Sequence, residues 1–543
     1  MHQPQVHIRP RRRPSLDFIS LGGCGEIGMN LTLYGVEDQW IAVDCGMLIR
    51  QDLPDSPLQI PDVEALSAYG IRPKAVVLTH GHEDHLGALA WIWPRWGCPI
   101  WASPLAAGLL RHKFADLGLR TDAINVFAPG NTLELSPFSI RTLPVPHSIP
   151  ESCALLITTG NHRILHTGDW KLDKTPLIGA PLDQAIFRSL GTVDLLVGDS
   201  TNAPQPGYSR SESVVALALE EQLRQCQGRV VVSCFASNLS RIKAIGRAAE
   251  RNNRRVVLLG RAMTRMVQIA RGLGYLDDFP NLVPLSDAGY LPRHEVLIIA
   301  TGSQGEPRAA LSRLAHNTHP DIELQAGDSV IFSSKAIPGN EEAILRLQNA
   351  FKYSGLDIYE ETLHPELHAS GHPAQEELKT LYNWVSPKCL IPVHGERLHQ
   401  EAHRQLAQYL GIEVPLVPCD GQWLKWNGHE LHIHEVLELT SCLISQRQKN
   451  NSHHRVSHNS IALLISVVHD QNCWQRVGRL ILDGDMIEKI DETALTEWLD
   501  NALGALEAKT IDELAFHLKP LLTQWLLEHM LAPLHIEIEL TRV

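Results

Sequence analysis

The chain has 543 residues, more than a single hydrophobic core usually supports, so it is expected to form two to four domains. Hydrophobic residues make up 44% and charged residues 20%, which is the balance of an ordinary soluble globular protein. The formal net charge of -13 argues against a basic protein that wraps nucleic acid non-specifically, but it leaves room for a local basic groove or for bound cations.

Ten cysteines are spaced singly along the chain, with no CxxC pair. This spacing fits neither a disulfide framework nor a zinc ribbon, and reduced thiols favour the cytoplasm. The chain begins with a stretch rich in arginine that is not followed by an apolar segment of signal length, so residues 1–14 are predicted to be a disordered basic tail. No apolar run reaches membrane-spanning length, so no membrane association is expected.

The first part of the chain is predicted to form short strands joined by turns, with a helix from His85 to about Trp96. Strand-rich sequence with a few helices between the strands is typical of an αββα sandwich, predicted here over residues 15–205. The predicted strands are LDFISLGG, NLTLYGV, WIAVDCG, AVVLTH, PIWAS, FSIRTLPVPHS, CALLITTG, RILHTGD and VDLLVGDST.

From about Ser209 the pattern changes to an alternation of helices and strands, which is typical of a parallel βαβ sheet. The side chains that could bind metal resume only at His372 and His394. We therefore expect residues 206–365 to form an α/β domain inserted into the sandwich, which residues 366–445 complete. The alternating elements are helix 211–227, strand RVVVSCFA, helix 239–251, strand RRVVLLG, helix 262–273 and strand EVLIIATGS.

The polar stretch SQRQKNNSHHRVSHNS predicts a linker at 446–460. The strand IALLISVV, helices near 493–506 and 510–529, and the strictly alternating segment LHIEIELTRV follow it. Residues 461–543 are therefore predicted to form a small α+β domain.

The strongest chemical signal is the run THGHEDH at 79–85, directly after an apolar strand. His80 and His82 lie two residues apart in extended chain and so point the same way, while Asp84 and His85 lie where the chain turns into a helix. A lone histidine among the 28 is best read as a surface or core residue, but four such side chains have no packing reason to crowd one strand end. Mixed imidazole and carboxylate ligands suit zinc, or manganese where oxygen ligands dominate.

Three further residues stand at predicted strand ends, where sites in layered folds are usually found. His147 follows RTLPVP, Asp169 ends RILHTGD and His394 ends KCLIPVHGE. Taken alone each is a weak signal, and Asp169 would sooner be read as a turn residue. Together with the run at 79–85 they make seven ligands, enough for two metal ions that share one carboxylate.

The pattern HxHxDH, followed by a later histidine, a TGD aspartate and a last histidine, resembles the metallo-β-lactamase superfamily. The resemblance implies that Asp44, in VDCG, orients the HxHxDH loop. It implies two divalent ions, Zn²⁺ before Mn²⁺ or Mg²⁺, which activate water for in-line attack on a phosphodiester. The implied ligands are His80, His82 and His147 for one ion, Asp84, His85 and His394 for the other, and Asp169 as the bridge.

Asp199 in GDSTNA, His372 in HASGH and His394 in PVHGE resemble the three motifs of the β-CASP nucleases, which act on nucleic acids. Within that branch the chain resembles the ribonuclease J family from about 17 to 440, and the C-terminal pattern also fits. The stretches that carry this resemblance are LGGCGEIGMN (21–30), HSIPES (147–152), HTGDWKLDKTP (166–176), GDSTNAPQPGYSRSE (198–212), CFASNLSRI (234–242), ATGSQGEP (300–307), IPGNE (337–341) and HASGHPAQEEL (368–378).

The resemblance also assigns substrate contacts. The run His368-Ala369-Ser370-Gly371-His372 is expected to contact phosphate, and Ser237 and Arg261 are expected to bind a 5′-monophosphate. Without the resemblance, Arg261 would be read as a surface arginine. The chain departs from the family pattern at Ser240, where histidine is common, and at Ala262, where serine is usual. The expected catalytic residues are His372, Asp199 and Asp84; His372 either donates a proton, held by Asp199, or only binds phosphate.

These features predict a 5′-to-3′ exoribonuclease that also cuts internally and acts in mRNA decay and rRNA maturation. RNA with a 5′-monophosphate is the expected substrate, and a homodimer or homotetramer, with membership of an RNA degradation complex, is the expected assembly. One alternative is a DNA-processing β-CASP enzyme; a small-molecule hydrolase is disfavoured, because the inserted domain covers a far larger site than such a substrate needs. A non-catalytic RNA-binding scaffold is the other alternative, although none of the seven ligands is lost.

Overall fold

The computed structural model describes residues 15–50, 58–160, 162–337 and 339–444, and beyond them 460–470, 473–476, 481–483, 492–506, 535–542 and some residues between 513 and 525. The chain divides into two compact units, Met1–Asn450 and Asn451–Val543. The predicted tail 1–14 lies outside the described residues, as does the predicted linker 446–460 apart from its last residue.

The core of the first unit is a pair of β-sheets packed face to face. Their inner faces share one apolar cluster, to which Phe18, Tyr34 and Val43 contribute from one sheet and Ile157 and Val197 from the other. The first sheet has eight strands, in spatial order Leu431–Val436, Gln422–Trp426, Leu16–Gly22, Leu31–Val36, Gln39–Val43, Pro73–Val77, Ile100–Ala102 and Ile124–Val126. The second has six strands, in spatial order Thr132–Leu135, Phe138–Pro144, Cys153–Thr159, His162–His166, Leu195–Asp199 and Cys389–Val393.

Helices cover the outer face of each sheet, so the predicted αββα sandwich is confirmed. Ile92 and Phe114 pack on the outside of the eight-stranded sheet, and Phe187 and Leu381 pack on the outside of the six-stranded one. The helices on the first face are Leu89–Trp96 and Pro104–Asp116, and those on the second are Gln184–Ser189, Gln375–Val385 and Arg397–Tyr409. Short 3₁₀ helices occupy Glu64–Tyr69 and Pro365–Leu367.

The single helix predicted from His85 to Trp96 is instead two helices, Glu83–Leu86 and Leu89–Trp96. The chain beside it takes the hydrogen bonds that a continuous helix needs. His85 O accepts from Cys45 N at 2.6 Å, and Ala88 N donates to Cys45 O at 3.0 Å. Gly46 allows this close approach, because a Cβ there would lie 1.7 Å from Asp84 O.

The segment between Ser209 and Leu367 contains the predicted parallel sheet. Three helices pack on one face and two on the other, each face with its own apolar cluster. The strands, in spatial order and all parallel, are Arg255–Leu259, Val296–Ala300, Val230–Ser233, Ser329–Phe332 and Asp357–Tyr359. The helices are Glu212–Gln225, Leu239–Arg251 and Arg261–Gly272 on one face and Ala310–Ala315 and Glu341–Tyr353 on the other, with 3₁₀ turns at Leu285–Tyr290 and Arg293–Glu295.

Two small sheets complete the first unit: Cys24–Gly25 with Gly395–Glu396, and Leu48–Ile49 with Leu58–Ile60 and Cys442–Ile444. In the second unit, strand Ser460–Asp470 pairs in parallel with His535–Arg542 and antiparallel with Cys473–Arg476 and Ile481–Asp483, beside helix Glu492–Ala505. This arrangement is the predicted α+β domain, although the helix predicted at 510–529 is described only in part. Among the helices of the described ranges, none has the length and apolar character needed to cross a bilayer.

Candidate metal centre

The predicted ligands lie together because the strands that carry them end at one edge of the sandwich. In the six-stranded sheet, the strands before His147, Asp169 and His394 run in the same direction. The run at 79–85 follows Pro73–Val77 of the facing sheet. All seven predicted ligands thus occupy one edge of the sandwich, and they form two overlapping groups.

The first group is His80, His82, His147 and Asp169, whose ligand atoms lie within 4.8 Å of one another. Nε2 of His80 and Nε2 of His147 each lie 3.1 Å from Nδ1 of His82. Nε2 of each of those two rings also lies 3.6 Å from Oδ2 of Asp169. Three imidazole nitrogens and one carboxylate oxygen therefore converge on a common point.

The second group is Asp84, His85, Asp169 and His394, again within 4.8 Å. Nε2 of His85 lies 3.2 Å from Asp169 Oδ2 and 3.4 Å from Asp84 Oδ2. Nε2 of His394 lies 3.1 Å from Asp84 Oδ2 and 3.6 Å from Asp169 Oδ1. Asp169 belongs to both groups, which is the arrangement expected of a bridging carboxylate.

The hydrogen bonds around the first group favour a bound cation. His147 Nδ1 donates to Gly371 O at 2.7 Å, so its Nε2 offers a lone pair. The Thr79 hydroxyl donates to Asp44 and contacts His80 Nδ1 at 3.0 Å, so Nε2 of His80 offers a lone pair too. Both lone pairs face His82 Nδ1, whose one proton cannot satisfy two acceptors.

Asp169 adds a second sign that a cation fits. Asp169 Oδ1 is buried and accepts no hydrogen bond from any residue that the structure describes. A buried carboxylate oxygen without a partner is costly unless a cation neutralises it. Five imidazoles and two carboxylates in two overlapping groups therefore fit a pair of divalent ions.

Asp44 holds the loop that carries the ligands. Its backbone has a positive φ of 61°, a conformation that side chains rarely adopt. Oδ1 accepts from Thr79 N at 2.7 Å, while Oδ2 accepts from the Thr79 hydroxyl and from His85 Nδ1, both at 2.8 Å. The bond to Nδ1 directs Nε2 of His85 toward the two carboxylates, as expected of a residue that orients ligands.

Burial and charge act differently on the two groups. Burial lowers the pKa of His82 to about 4 and that of His80 and His147 well below the usual range, so these rings are neutral and offer lone pairs. For His394, burial opposes the charge, but Asp169, Asp84 and Asp199 outweigh it and raise the pKa to about 9. The carboxylates thus favour positive charge at the second group.

His372 and Asp199 lie beside the two groups, and with Asp169 and His394 they form a third group whose ligand atoms lie within 4.8 Å of one another. Nδ1 of His372 donates to Asp199 Oδ2 at 2.8 Å and lies 3.9 Å from Asp169 Oδ2. Burial lowers the pKa of His372, but the charges of Asp199 and Asp169 outweigh it and raise the pKa overall. Because Nδ1 is taken by Asp199, Nε2 is the nitrogen available to a substrate.

The loop at 368–372 is held by its carbonyl groups. Ser370 O accepts from Lys171, Gly371 O from His147, and His372 O from Asn202 at 3.0 Å. In the described part of the chain, no protein group accepts a hydrogen bond from the backbone N–H of Ser370 or Gly371. Successive unpaired N–H groups are a typical binding site for anions such as phosphate.

Ser237 and Arg261, the two predicted contacts to a 5′-monophosphate, belong to the inserted domain. Ser237 follows strand Val230–Ser233 and Arg261 follows strand Arg255–Leu259, so both come after the carboxyl ends of inserted-sheet strands, and strand Val296–Ala300 lies between these two strands. The carboxyl edge of this sheet reaches the loop through Leu367 O, which accepts from the Ser333 hydroxyl at 2.7 Å. His368 is buried, and its Nδ1 has no partner among the described residues.

Two contributors lie in quoted motifs but were not singled out from the sequence. Thr201, in GDSTNA, contacts His394 Nδ1 at 2.7 Å through its hydroxyl. Arg241, in CFASNLSRI, is completely buried and binds Glu212 through Nε and Nη2, each at 3.0 Å. Thr201 could have been found from the sequence, because its hydroxyl lies two residues after Asp199, a predicted catalytic aspartate. Nothing near Arg241 in the sequence indicates that it binds Glu212.

Comparison with known proteins agrees with this geometry. The family model of the metallo-beta-lactamase superfamily matches residues 25–208. The ribonuclease J beta-CASP domain model matches 227–351, and the model of the Zn-dependent metallo-hydrolase RNA specificity domain matches 362–417. The predicted architecture, a metallo-β-lactamase sandwich with an inserted β-CASP domain, is thereby confirmed.

Two similar relatives are both called ribonuclease J. The protein from Sinorhizobium meliloti is 42% identical over 77% of this chain and 75% of its own length. That from Thermus thermophilus is 40% identical over 75% of this chain and 71% of its own length. A solved structure of a protein of unknown function from Enterococcus faecalis covers 77% of this chain with a TM-score of 0.52, and its 16% identity shows the fold alone.

Proposed function

The chain belongs to the ribonuclease J family, and on that premise we propose that it degrades RNA from the 5′ end and also cuts RNA internally. A metal-dependent nuclease is what the family and the clustered ligands support. The observation that carries the proposal is that Asp169 is shared by two groups of four ligands, with His372 and Asp199 beside them.

Divalent ions bound by the two groups would lower the pKa of water and stabilise the charge that develops on phosphate during in-line attack. Zinc is the metal we propose, because five of the seven ligands are imidazoles. Manganese and magnesium are the alternatives, and activity after reconstitution with each ion separates the three.

The protein's own groups act on the phosphate and the leaving oxygen. The unpaired N–H groups of Ser370 and Gly371 are suited to bind non-bridging oxygens of the scissile phosphate. His372, held by Asp199, would give the proton on Nε2 to the departing 3′-oxygen as the bond from phosphorus to that oxygen breaks. The products are a free 3′-hydroxyl and a 5′-phosphate on the next nucleotide.

We propose that Ser237 and Arg261 recognise the 5′-monophosphate of the RNA. Arg261 is exposed at the carboxyl edge of the parallel sheet, an edge where α/β folds commonly bind ligands. A guanidinium pairs bidentately with phosphate, so Arg261 is suited to distinguish a 5′-monophosphate from an uncharged 5′-hydroxyl.

The wider biological context is also proposed. The nine cysteines whose side chains the structure describes are free, which supports a reducing compartment such as the cytoplasm. We propose roles in mRNA decay and rRNA maturation, a homodimer or homotetramer, and association with an RNA degradation complex. Sedimentation of the purified chain tests the oligomeric state.

Digestion of one RNA sequence bearing a 5′-monophosphate, 5′-triphosphate or 5′-hydroxyl tests the proposal. We expect metal-dependent release of mononucleotides, fastest from the monophosphate, with short internal fragments from all three. A DNA oligonucleotide of the same sequence is the matched control. Equal or faster turnover of DNA would support a DNA-processing enzyme instead, and binding of RNA without cleavage would support a scaffold.

A further inference from the structure

Lys171 is a buried charged residue to which the proposed reaction gives no role. It lies two residues after Asp169, and only 1% of its surface is exposed. Nζ donates to Arg210 O at 3.0 Å and to Ser370 O at 3.2 Å, and it lies 3.5 Å from Asp173 Oδ2. One ammonium thus contacts the chain where it enters the inserted domain and again in the loop at 368–372.

Glu377 is the acidic counterpart of Lys171, and it is completely buried. Its carboxylate accepts from the backbone N–H of Leu172 at 2.7 Å, of Ser209 at 2.8 Å and of Ala374 at 2.7 Å. Lys171 therefore binds carbonyl groups of both crossing segments, and Glu377 binds amide groups of both. Lys171 and Glu377 therefore bind the same two segments, Lys171 with a positive charge and Glu377 with a negative one.

Lys171 is also bound to the segment that carries the predicted ligand His147. The backbone N–H of Lys171 donates to Pro146 O at 2.9 Å, directly before the ligand His147. The crossing segments are separated by more than 150 residues of inserted domain, so local chain geometry cannot fix one relative to the other. Charge-assisted hydrogen bonds are shorter and stronger than neutral ones, which suits them to hold such segments in place.

We propose that Lys171 and Glu377 are positioning residues that set the distance between the phosphate-binding loop 368–372 and the bridging carboxylate of Asp169. The inference rests on the proposed function, because it takes the loop to bind the scissile phosphate of RNA. Neither side chain faces the substrate or binds a metal. Loss of either one should displace the loop while every ligand stays in place.

The test compares Lys171→Met and Glu377→Gln with the wild type as full-length, zinc-reconstituted proteins. Lys388→Met is the matched control, because Lys388 also forms an ion pair, 2.6 Å from Asp194, but lies at the far end of the strand that leads to His394. Metal content, thermal unfolding, and kcat and KM on 5′-monophosphorylated RNA are measured. Bis(4-nitrophenyl) phosphate is the second substrate: its leaving group departs without a proton, so displacement of the loop would weaken the N–H contacts to its phosphate but would not cost it proton donation by His372.

A displacement of about 1 Å typically costs about 10²-fold in rate, so we expect Lys171→Met to lose that much kcat on RNA. Its zinc content should match the wild type, and its loss of rate on the small diester should be smaller than its loss on RNA. Glu377→Gln should shift in the same direction by a smaller factor, because one amide oxygen still accepts hydrogen bonds. Lys388→Met should match the wild type on both substrates.

Three results would overturn the inference. The first is wild-type turnover of RNA by both variants; the second is an equal loss on RNA and on the small diester, with or without loss of zinc. The third is failure of both variants to fold, which would mean that Lys171 and Glu377 serve stability alone. If only one variant fails to fold, the kinetics of the other variant provide the test. Failure of the proposed function has a different signature, namely that the wild type itself cleaves no RNA with any of the three metals.

Discussion

The metal centre and the carboxyl edge of the inserted sheet both lie where strands end, but they differ in how tightly their side chains are held. All five predicted histidine ligands make a hydrogen bond through the nitrogen that faces away from the site, to Thr79, Ser148, Asp44, Gly371 and Thr201. Four of these rings are buried and His82 is partly buried, whereas Arg261 is exposed and Ser237 is partly exposed.

This difference in burial fits two different roles, cleavage at the metal centre and recognition of the RNA end at the sheet edge. Buried side chains with fixed orientations do not have to reorganise during a reaction, and this lowers the activation barrier. An exposed sheet edge can admit the end of a long polymer and can distinguish its terminal group. Substitutions in the first region should therefore affect every cleavage, and those in the second should affect only the choice between RNA ends.

The largest effect is expected from His80→Ala combined with His82→Ala. Both rings contribute to the first ligand group, so hydrolysis should fall to background and zinc content should drop. The fold should persist, because the loop is also held through Asp44. Metal analysis, turnover of RNA and circular dichroism check this, and a chelator should reproduce the loss in the wild type.

The matched control is His432→Ala with His434→Ala, an exposed pair with the same spacing on strand Leu431–Val436. It should retain zinc and activity. Wild-type turnover by the His80 and His82 variant would falsify the metal assignment and remove the basis of the comparison.

The second effect is expected from His372→Ala. A general acid contributes about 10²–10⁴-fold, so turnover of RNA should fall by that order with zinc still bound. Replacing the departing 3′-oxygen by sulfur gives a leaving group that needs little protonation, and on that substrate the deficit should shrink. Single-turnover rates on the two substrates measure the difference. An equal deficit on both would mean that His372 only positions phosphate.

The third effect is smaller and is expected from Arg261→Ala. A hydrogen bond to a charged group is worth about 1.5–3 kcal/mol, so the preference for monophosphate over hydroxyl ends should fall about 10- to 100-fold. Internal cleavage should change little. Arg255→Ala is the control, because Arg255 is exposed at the start of strand Arg255–Leu259, whose other end leads to Arg261. If the ratio between ends survives in Arg261→Ala, the pocket lies elsewhere.

The smallest effect is expected from Tyr275→Phe, which removes a hydrogen bond between the inserted domain and the loop of His147. The Tyr275 hydroxyl of the inserted domain donates to Glu151 Oε1, in the loop of His147, at 2.5 Å. An unpaired, partly buried carboxylate oxygen should lower the free energy of unfolding by about 1 kcal/mol. Denaturant unfolding measures this, with the exposed Tyr353→Phe as control. A change in kcat above tenfold would show that this contact positions the loop of His147 and does more than stabilise the fold.

Much of the site could be predicted because its signals are local. The run at 79–85 places four ligands within six residues, and the alternation of an extended chain assigns His80 and His82 to one side. His147, Asp169 and His394 were predicted from strand ends, and the family resemblance divided the seven into two groups that are among the three the structure brings together. The sandwich and the parallel sheet followed from the period of the apolar residues.

What the sequence left open depends on contacts between distant segments. The break in the helix after Leu86 arises because Cys45 takes its hydrogen bonds, and Gly46 makes that approach possible. Arg241 and Lys171 could be read as surface charges, yet they are buried against Glu212 and Ser370. The sequence by itself determined which side chains are able to bind metal and on which strands they lie. Only the tertiary structure decided how those strand ends are held together, because a buried hydrogen bond forms where packing excludes water, and packing joins residues that lie far apart in the chain.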